Sequence, residues 1–94
     1  MAFWVIRHKV EDFEKWKPAF DGDADNRKAH GSKGGYLLRN ADDPNEVVIV
    51  LEWDSIQGMR QFSQSPKLKE AMRVGGVMDT PDLYMCDLVE KVAA

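Results

Sequence analysis

Apolar side chains along the first third of the chain repeat with two different periods. The stretch FWVIRHKV (residues 3–10) is rich in β-branched and aromatic types, which predicts a strand. Beyond Asp12, a residue that can cap a helix, the repeat lengthens to three- and four-residue steps, as on one face of a helix. These positions are Phe13, Trp16, Phe20, Ala24 and Arg27. The pattern therefore predicts a strand and then a helix that ends near Gly31, a residue suited to a left-handed cap.

The rest of the chain predicts three more strands and a second helical region. Ser55 can cap one helical stretch, Pro66 suits the first turn of another, and the pair Gly75–Gly76 closes it. The predicted strands are KGGYLLRNA (33–41), EVVIVLEWD (46–54) and DLYMCDLVEKV (82–92), and a turn, DDPN (42–45), joins the first two of these.

The order strand, helix, strand, strand, helix, strand is that of a split β-α-β unit. It predicts a ferredoxin-like βαββαβ fold of the α+β class. The four-stranded antiparallel sheet of this fold has the first and third strands side by side at its centre. A chain of 94 residues is long enough for one small core, so we expect a single domain over residues 1–94.

Alternation along the two central strands sorts their residues onto two sheet faces. Trp4, Ile6 and His8 share one face of the first strand. Leu51 and Trp53 share the matching face of the third strand. We expect this face to lie under the helices, which leaves His8 as a lone titratable group among aromatic residues.

The other face combines charged residues with an apolar patch. Arg7 and Lys9 are expected to face carboxylates on the third strand, because opposite charges favour cross-strand positions. The carboxylates concerned are Glu52 and Asp54. The apolar patch consists of Phe3, Val5, Val48 and Val50. Monomers rarely expose such a patch at the centre of a sheet, so we expect a symmetric homodimer that packs sheet on sheet.

Charge and cysteine content limit the kinds of partner that the protein can bind and the cellular compartment that it suits. The formal net charge is −3, with 13 Lys and Arg against 16 Asp and Glu, and no basic stripe typical of nucleic-acid binders is present. The single cysteine, Cys86, excludes an internal disulfide and is expected to be a small buried hydrophobe. The sequence lacks a secretion-signal pattern and an apolar run of about 20 residues. We therefore expect a soluble cytoplasmic protein that binds neither nucleic acid nor membranes.

Three stretches of the chain resemble a known group of proteins. They are VIRHKVEDFEKWKPAFD (5–21), GSKGGYLLRNADDPNEVVIVLEWD (31–54) and QFSQSPKLKEAM (61–72). They are similar to the dimeric α+β barrel superfamily, and in particular to small members described as antibiotic-biosynthesis-monooxygenase-like or cyclase-like. The resemblance implies a pocket between helices and sheet in each subunit. The superfamily includes cofactor-free oxygenases, haem-degrading enzymes, polyketide cyclases, isomerases and proteins without known activity, so the fold does not fix the reaction.

Three residues are candidates for catalysis, and each has an alternative structural role. His8 is the best candidate for a base, because the pKa of a free imidazole lies near neutrality; the alternative is a hydrogen-bonded histidine in the core or pocket wall. Tyr84 on the last strand can donate a hydrogen bond to a ligand carbonyl or enolate, or can lie in water. Arg39 on the second strand can bind an acidic substrate group, or can be a surface charge.

Four aromatic residues are candidates for lining a ligand cavity, namely Trp16, Phe20, Trp53 and Phe62. Pockets for flat apolar ligands are mostly aromatic with a few polar groups. The alternative is that the same residues simply fill the core. A small apolar or aromatic molecule is therefore an expected partner.

Metal, phosphate and cofactor sites are not expected. His8, His30 and Cys86 lack metal-ligand spacing. The nearby carboxylates lie on what is predicted to be a polar helix face, and they are Asp21, Asp23 and Asp25. The glycine-rich GSKGG (31–35) lacks the spacing of a phosphate-binding loop and is predicted to be a turn from helix to strand. No cofactor motif is found.

Two functional hypotheses follow from these candidates. In the first, a planar, electron-rich or enolisable small molecule enters the pocket and His8 removes a proton. Tyr84 or Arg39 then stabilises the oxyanion before oxygenation or cyclisation. In the second, the protein is a non-catalytic homodimer that binds a small apolar ligand or has a structural role. An open cavity bordered by His8 favours the first hypothesis, whereas a space filled by the four aromatic residues argues against catalysis there.

Overall fold

The structure, a computed structural model that describes residues 1–94, consists of four strands and four helices. In chain order they are β1 (Ala2–Lys9), α1 (Phe13–Gly22), α2 (Ala24–Ala29), β2 (Ser32–Asn40), β3 (Asp43–Trp53), α3 (Ile56–Ser63), α4 (Pro66–Gly75) and β4 (Asp82–Asp87). The sheet is antiparallel with strand order β2-β3-β1-β4, so β1 and β3 occupy its centre. The predicted ferredoxin-like α+β fold is confirmed. The longest helices have ten residues, and none has the length and hydropathy to span a bilayer.

Each of the two predicted helical regions is divided into two short helices. Asp12 caps α1 as predicted, since its Oδ1 accepts a hydrogen bond of 3.0 Å from the Glu14 N–H. Asp23, with φ −95° and ψ 6°, then interrupts the helical backbone between α1 and α2. In the second region the hydroxyl groups of Ser55 and Ser65 cap α3 and α4, because each accepts a hydrogen bond from the first turn of its helix.

The ends of the strands differ from the prediction in two places. Strands β2 and β3 pair as far as Asn40 and Asp43, so the turn comprises residues 41–42 and not 42–45. At the other end of the chain, β4 stops at Asp87, five residues before the predicted end. The physical reason for the second difference is pairing, since β1 begins at Ala2 opposite Asp87, and beyond that pair the two segments share one further backbone hydrogen bond, of 2.9 Å from the Leu88 N–H to the Met1 carbonyl.

The charged residues of β1 have partners other than those predicted. Because β1 and β3 run in opposite directions, Lys9 at the end of β1 meets Glu46 at the start of β3. Glu52 lies near the far end of β3 and Asp54 lies just beyond that end, so their predicted pairing with Arg7 and Lys9 is wrong. The carboxylates within 4 Å of the Arg7 guanidinium nitrogen atoms belong to Asp79 (3.0 Å), Asp82 (3.4 Å) and Glu46 (3.6 Å).

The core lies on the face of the sheet that the helices cover. Its buried residues include Trp4, Val10, Trp16, Val47, Ile49, Leu51, Trp53, Met59 and Phe62. The face assignment predicted from alternation is confirmed, because Trp4 and His8 of β1 are buried whereas the intervening residues Val5 and Arg7 are half-exposed. Aromatic and branched side chains from both central strands thus form the sheet side of the core, and burial of such apolar surface stabilises the fold.

The opposite face of the sheet, here called the open face, has no helix over it. Its apolar residues are Phe3, Val5, Tyr36, Leu38, Val48, Val50, Tyr84 and Cys86, as the register of the four strands shows. Tyr36 is 72% exposed and Tyr84 is 59% exposed. The predicted burial of Cys86 is wrong, because β4 is an edge strand and this position points away from the core.

Gly35 permits the close pairing of β2 with β3. A Cβ at this position would lie 2.0 Å from the Val50 carbonyl oxygen, whereas a Cβ at Gly22 would meet nothing within 4 Å. We expect Gly35→Ala to lower the free energy of unfolding by about 2 kcal/mol or more, because the strands must separate locally. Gly22→Ala, at the end of α1, is expected to raise it by about 0.5 kcal/mol. Urea unfolding monitored by circular dichroism measures both, and similar effects of the two substitutions would contradict the assigned pairing.

Candidate active site

A cavity of about 200 Å³ lies between the sheet and the helices. The four aromatic residues predicted to line a pocket all line it, and they are Trp16, Phe20, Trp53 and Phe62. His8 also lies in its wall. The aromatic residues therefore surround the space without filling it, which is the arrangement that favours the first functional hypothesis.

Two-residue spacing on the central strands positions the floor of the cavity. Trp4, Ile6 and His8 project from β1 on the helix-covered face, about 7 Å apart from one to the next. On β3, Leu51 lies opposite Trp4 and Ile49 lies opposite Ile6, and Trp53 lines the cavity two residues further along. The indoles and the imidazole therefore occupy fixed positions on the most extensively paired part of the sheet.

Contacts between rings fix the orientation of the aromatic walls. The rings of Trp16 and Phe20, one turn apart on α1, stack with centroids 4.9 Å apart and planes inclined by 24°. The Trp16 ring also meets the His8 imidazole edge to face at 5.7 Å and 83°. On the other side, Trp53 contacts both Trp4 at 5.5 Å and Phe62 at 5.3 Å. Such pairs favour offset or edge geometries, which leaves few alternative packings for the cavity wall.

His8 is a buried imidazole without a hydrogen-bond partner in the protein. Its side chain is enclosed, with 5% of the residue exposed, and neither Nδ1 nor Nε2 has a partner. Burial lowers the pKa of the imidazole below its ordinary value of 6.5; the Asp79 carboxylate opposes this effect and the Arg7 cation adds to it. At neutral pH the ring is therefore uncharged, with one nitrogen free to accept a proton and the other carrying an N–H.

Three further buried polar atoms in the cavity-lining residues have no partner in the protein. They are Nε1 of Trp4, Nε1 of Trp53 and Oδ2 of Asp23. Buried polar groups are paired in the great majority of cases, so these three residues and His8 stand out among the lining residues, because each carries a side-chain atom that no protein group satisfies. An indole N–H is a hydrogen-bond donor and a carboxylate oxygen is an acceptor, so these residues include both kinds of polar group.

Asp23 was predicted to lie on a polar helix face, and this prediction is wrong. The residue is 7% exposed, and its Oδ1 accepts a hydrogen bond of 3.2 Å from Asn26 Nδ2. The sequence spacing could have indicated this position. Asp23 follows Trp16 by seven residues and Phe20 by three, and residues at these spacings lie on the same side of a helix.

Arg27 also lines the cavity, although the helical pattern did not predict a role for its guanidinium. Its guanidinium lies 3.9 Å from the centre of the Phe20 ring, and Nη1 donates a hydrogen bond of 2.8 Å to the Phe20 carbonyl. Burial lowers the pKa of this guanidinium, although the nearby carboxylates of Asp23 and Asp21 oppose the effect. The cation is thus partly dehydrated and is held in place by an aromatic ring and not by an ion pair.

The structure separates Tyr84 and Arg39 from His8. Tyr84 pairs with Val5 and therefore lies on the open face, so it cannot contact a ligand that His8 contacts in the same chain. Arg39 lies on the helix-covered face, but at the edge strand β2, where its guanidinium is 4.4 Å from the centre of the Phe13 ring. Neither residue lines the cavity. No group of three or more His, Cys, Asp or Glu side chains is arranged as a metal site.

The sequence from residue 4 to residue 74 matches a family model described as antibiotic biosynthesis monooxygenase. The chain belongs to this family. The predicted resemblance is therefore confirmed. No curated protein matches the sequence.

Solved structures share the same fold with this family member. SnoaB from Streptomyces nogalater, a cofactor-independent oxygenase, aligns with a TM-score of 0.80 and 16% identity over 99% of this chain and 97% of its own. A protein from Bordetella bronchiseptica described as an antibiotic biosynthesis monooxygenase aligns with a TM-score of 0.79 and 17% identity, over 95% of this chain and 97% of its own. A protein from Nitrosomonas europaea with the same description aligns with a TM-score of 0.74 and 13% identity, over 96% of this chain and 100% of its own. At these identities the similarity establishes the fold.

The buried His8 makes the stability of the protein depend on pH. Below pH 6.5 the unfolded chain binds a proton at His8 that the native state, with its lowered pKa, does not bind. We therefore expect the free energy of unfolding to decrease as the pH falls from 7 through 6.5 towards the native pKa. Urea denaturation at pH 7.5, 6.5 and 5.5 measures this loss. In His8→Leu the loss over this range should shrink, whereas His30→Gln should retain it; an unchanged loss in His8→Leu would contradict the assignment.

Proposed function

We propose that the protein is a cofactor-independent oxygenase acting on a small aromatic molecule that carries an enolisable carbonyl group. The observation that carries this proposal is the neutral, unpartnered imidazole of His8 in an aromatic cavity. Membership of the antibiotic biosynthesis monooxygenase family supports oxygenation as the reaction class. The cofactor-independent activity in the name of SnoaB, which has the same fold, supports chemistry that the substrate and oxygen perform without a bound redox group.

His8 is the proposed general base. Its free nitrogen takes a proton from a methylene group beside the substrate carbonyl, and the electron pair of the broken C–H bond passes into an enolate. An imidazole whose pKa is lowered by burial remains unprotonated at neutral pH, so the base is present in its active form. The negative charge of the Asp79 carboxylate favours the imidazolium that forms, because it acts to raise the pKa of His8.

The indole N–H groups of Trp4 and Trp53 take the role first expected for Tyr84 and Arg39. Both N–H groups are buried without protein partners and both residues line the cavity, and in the proposed reaction both donate to the enolate oxygen as its charge develops. Donors in a dry site stabilise charge more strongly than water does, because the surroundings do not screen them. The proposal therefore assigns enolate stabilisation to two residues on the rigid central strands.

Oxygen supplies the second half of the reaction. The enolate carbon transfers electrons to O₂ and forms a C–O bond, which gives a hydroperoxide after protonation. Loss of water from the hydroperoxide leaves a ketone, so that CH₂ and O₂ become C=O and H₂O, with both electron pairs supplied by the substrate. The apolar walls suit a dissolved gas molecule and exclude the water that would reprotonate the enolate. Cyclisation would begin with the same proton abstraction but would consume no oxygen.

2-Tetralone, a two-ring enolisable ketone, tests the proposed base. Wild-type protein is expected to accelerate exchange of its C1 protons with deuterium under nitrogen, and to consume oxygen with it in air. We expect His8→Ala to slow the exchange at least about 100-fold, because general-base catalysis contributes 10²- to 10⁴-fold. Proton NMR and an oxygen electrode measure the two steps separately.

His30→Gln is the matched control, because His30 hydrogen-bonds the Asn26 carbonyl through Nδ1 and does not line the cavity. It should leave exchange unchanged, and circular dichroism checks that both variants are folded. Equal exchange in wild type and His8→Ala would remove His8 from the mechanism. Binding of 2-tetralone without exchange in the wild type would favour the non-catalytic ligand-binding alternative.

A second copy of the chain is the proposed cover of the open face. This face presents aromatic and branched residues at the centre of the sheet, with Tyr36 72% exposed, Leu38 50% exposed and Tyr84 59% exposed. Charged residues of both signs surround this centre, including Arg7 and Asp82 at one end. An apolar centre with a polar rim is the usual anatomy of a protein interface, and a twofold axis lets the same face serve both copies.

Substitution at the centre of the open face tests the homodimer. Wild-type protein is expected to sediment as a dimer, and Val50→Glu as a monomer, because it would place two carboxylates inside an apolar interface. Val74→Glu introduces the same charge at a position on α4 that is 60% exposed, and it should remain dimeric. Analytical ultracentrifugation measures the masses. A monomeric wild type, or a dimeric Val50→Glu, would contradict the proposal.

A further inference from the structure

A second hollow adjoins the cavity and has a different chemical character. It has a volume of about 620 Å³ and lies between the helices α1 and α2 and the start of β2. We call it the basic groove, and its lining includes Arg27, Lys28, Lys33, Gly34 and Gly35. The side chains of Phe20, Arg27 and Leu51 line both the cavity and the groove. The two spaces are therefore neighbours with a shared wall, in which the Arg27 guanidinium is the charged group.

The groove concentrates positive charge on a chain whose net charge is negative. Arg27, Lys28 and Lys33 line it, and no carboxylate does, although the formal net charge is −3. Lys28 takes part in no ion pair, and no carboxylate lies within 4 Å of the Arg27 guanidinium nitrogens. Only Lys33 has a partner, since its Nζ lies 3.3 Å from Asp54 Oδ1. Two of the three cations thus lack a counter-charge at contact distance.

Residues 32–35 of the glycine-rich segment form one wall of this groove. The pairing of β2 with β3 is irregular between Ser32 and Gly34, so Lys33 has no partner on β3. Gly34 has a φ of 88°, and a Cβ there would meet nothing within 4 Å, so the backbone leaves open space beside it. The opposite wall carries Arg27 and Lys28 in the last turn of α2. A segment predicted to be a plain turn therefore helps to bring three cations together.

The size of the cavity limits what it can enclose. An apolar cavity of about 150 Å³ holds a benzene ring, so the cavity of about 200 Å³ holds one or two fused rings. Any larger substituent of a bound ring must extend beyond the cavity. An anionic substituent would be unfavourable inside, where it would lose its hydration and meet the buried carboxylate of Asp23. In the basic groove, on the other side of the shared wall, the anionic substituent would meet Arg27 and remain hydrated.

We propose that the basic groove binds an anionic substituent, such as a carboxylate, of a ligand whose aromatic part occupies the cavity. The Arg27 guanidinium makes the first contact, because it lines both spaces and keeps N–H donors that its single hydrogen bond to Phe20 does not use. Lys28 strengthens binding as a neighbouring charge, whereas the charge of Lys33 is already paired with Asp54. The inference rests on the proposed function of the cavity and names the substrate class more closely, as aromatic acids in preference to neutral aromatic compounds.

Two probes that differ only in charge test the inference, namely naphthalene-2-carboxylate and naphthalene-2-methanol. Their dissociation constants are measured at low ionic strength by ligand-observed NMR. Wild-type protein is expected to bind the carboxylate at least fivefold more tightly than the alcohol. Lys28→Gln should weaken carboxylate binding about threefold, since exposed ion pairs contribute modestly, and should leave alcohol binding unchanged. The double variant Arg27→Gln/Lys28→Gln should abolish the preference.

Lys69→Gln is the control, because it removes the same charge from an exposed position on α4 that lines neither space. It should keep the preference for the carboxylate. Equal binding of both probes by the wild type would overturn this inference and leave the cavity proposal standing. A preference that survives in the double variant would also overturn it. If the wild type binds neither probe, the inference and the proposed ligand cavity both fail.

Discussion

The unbroken alternation along β1 and β3 is the constraint on which the rest of the structure depends. The two strands pair without a bulge from Ala2 and Trp53 to Lys9 and Glu46. A slip of one residue would turn every side chain of a strand to the other face, and would place Arg7 where His8 now lies. Burial of the large indole rings on the helix-covered face penalises such a slip strongly. The same apolar burial that stabilises the sheet therefore fixes the position of the imidazole.

The helix-covered face combines stabilising contacts with groups that lack partners. The ring contacts around Trp16 and Trp53 favour the folded state, whereas each unpaired buried polar group costs about 1–3 kcal/mol. These unpaired groups belong to residues around one cavity, and the basic groove adjoins that cavity at Arg27. The proposed oxygenation would draw on a base and two N–H donors from the central strands and on a nearby cation from α2.

The fold and the cavity aromatics were predictable because alternation and helical periodicity depend only on neighbours along the chain. The partners of Arg7 were not, because its closest carboxylate, Asp79, is 72 residues away in the sequence. The position of Asp23 could have been inferred from its seven-residue distance from Trp16. The basic groove could not, since it depends on a pairing irregularity at the start of β2 that no local pattern indicates. Likewise, Cys86 is exposed because its strand is at the edge of the sheet and its side lacks a covering helix.

The proposed mechanism requires that His8 be a neutral imidazole, enclosed by aromatic rings, that reacts directly with the molecule bound in the cavity. Nitrogen-15 NMR of the His8 ring, followed over pH with and without saturating 2-tetralone, tests this claim most directly. We expect a neutral ring at pH 7, a pKa below 6.5 in the free protein, and a change in the chemical shift of at least one ring nitrogen when the ketone binds. A His8 ring with a pKa at or above 6.5, or with nitrogen chemical shifts that do not change when the ketone binds, would contradict the proposed role of His8.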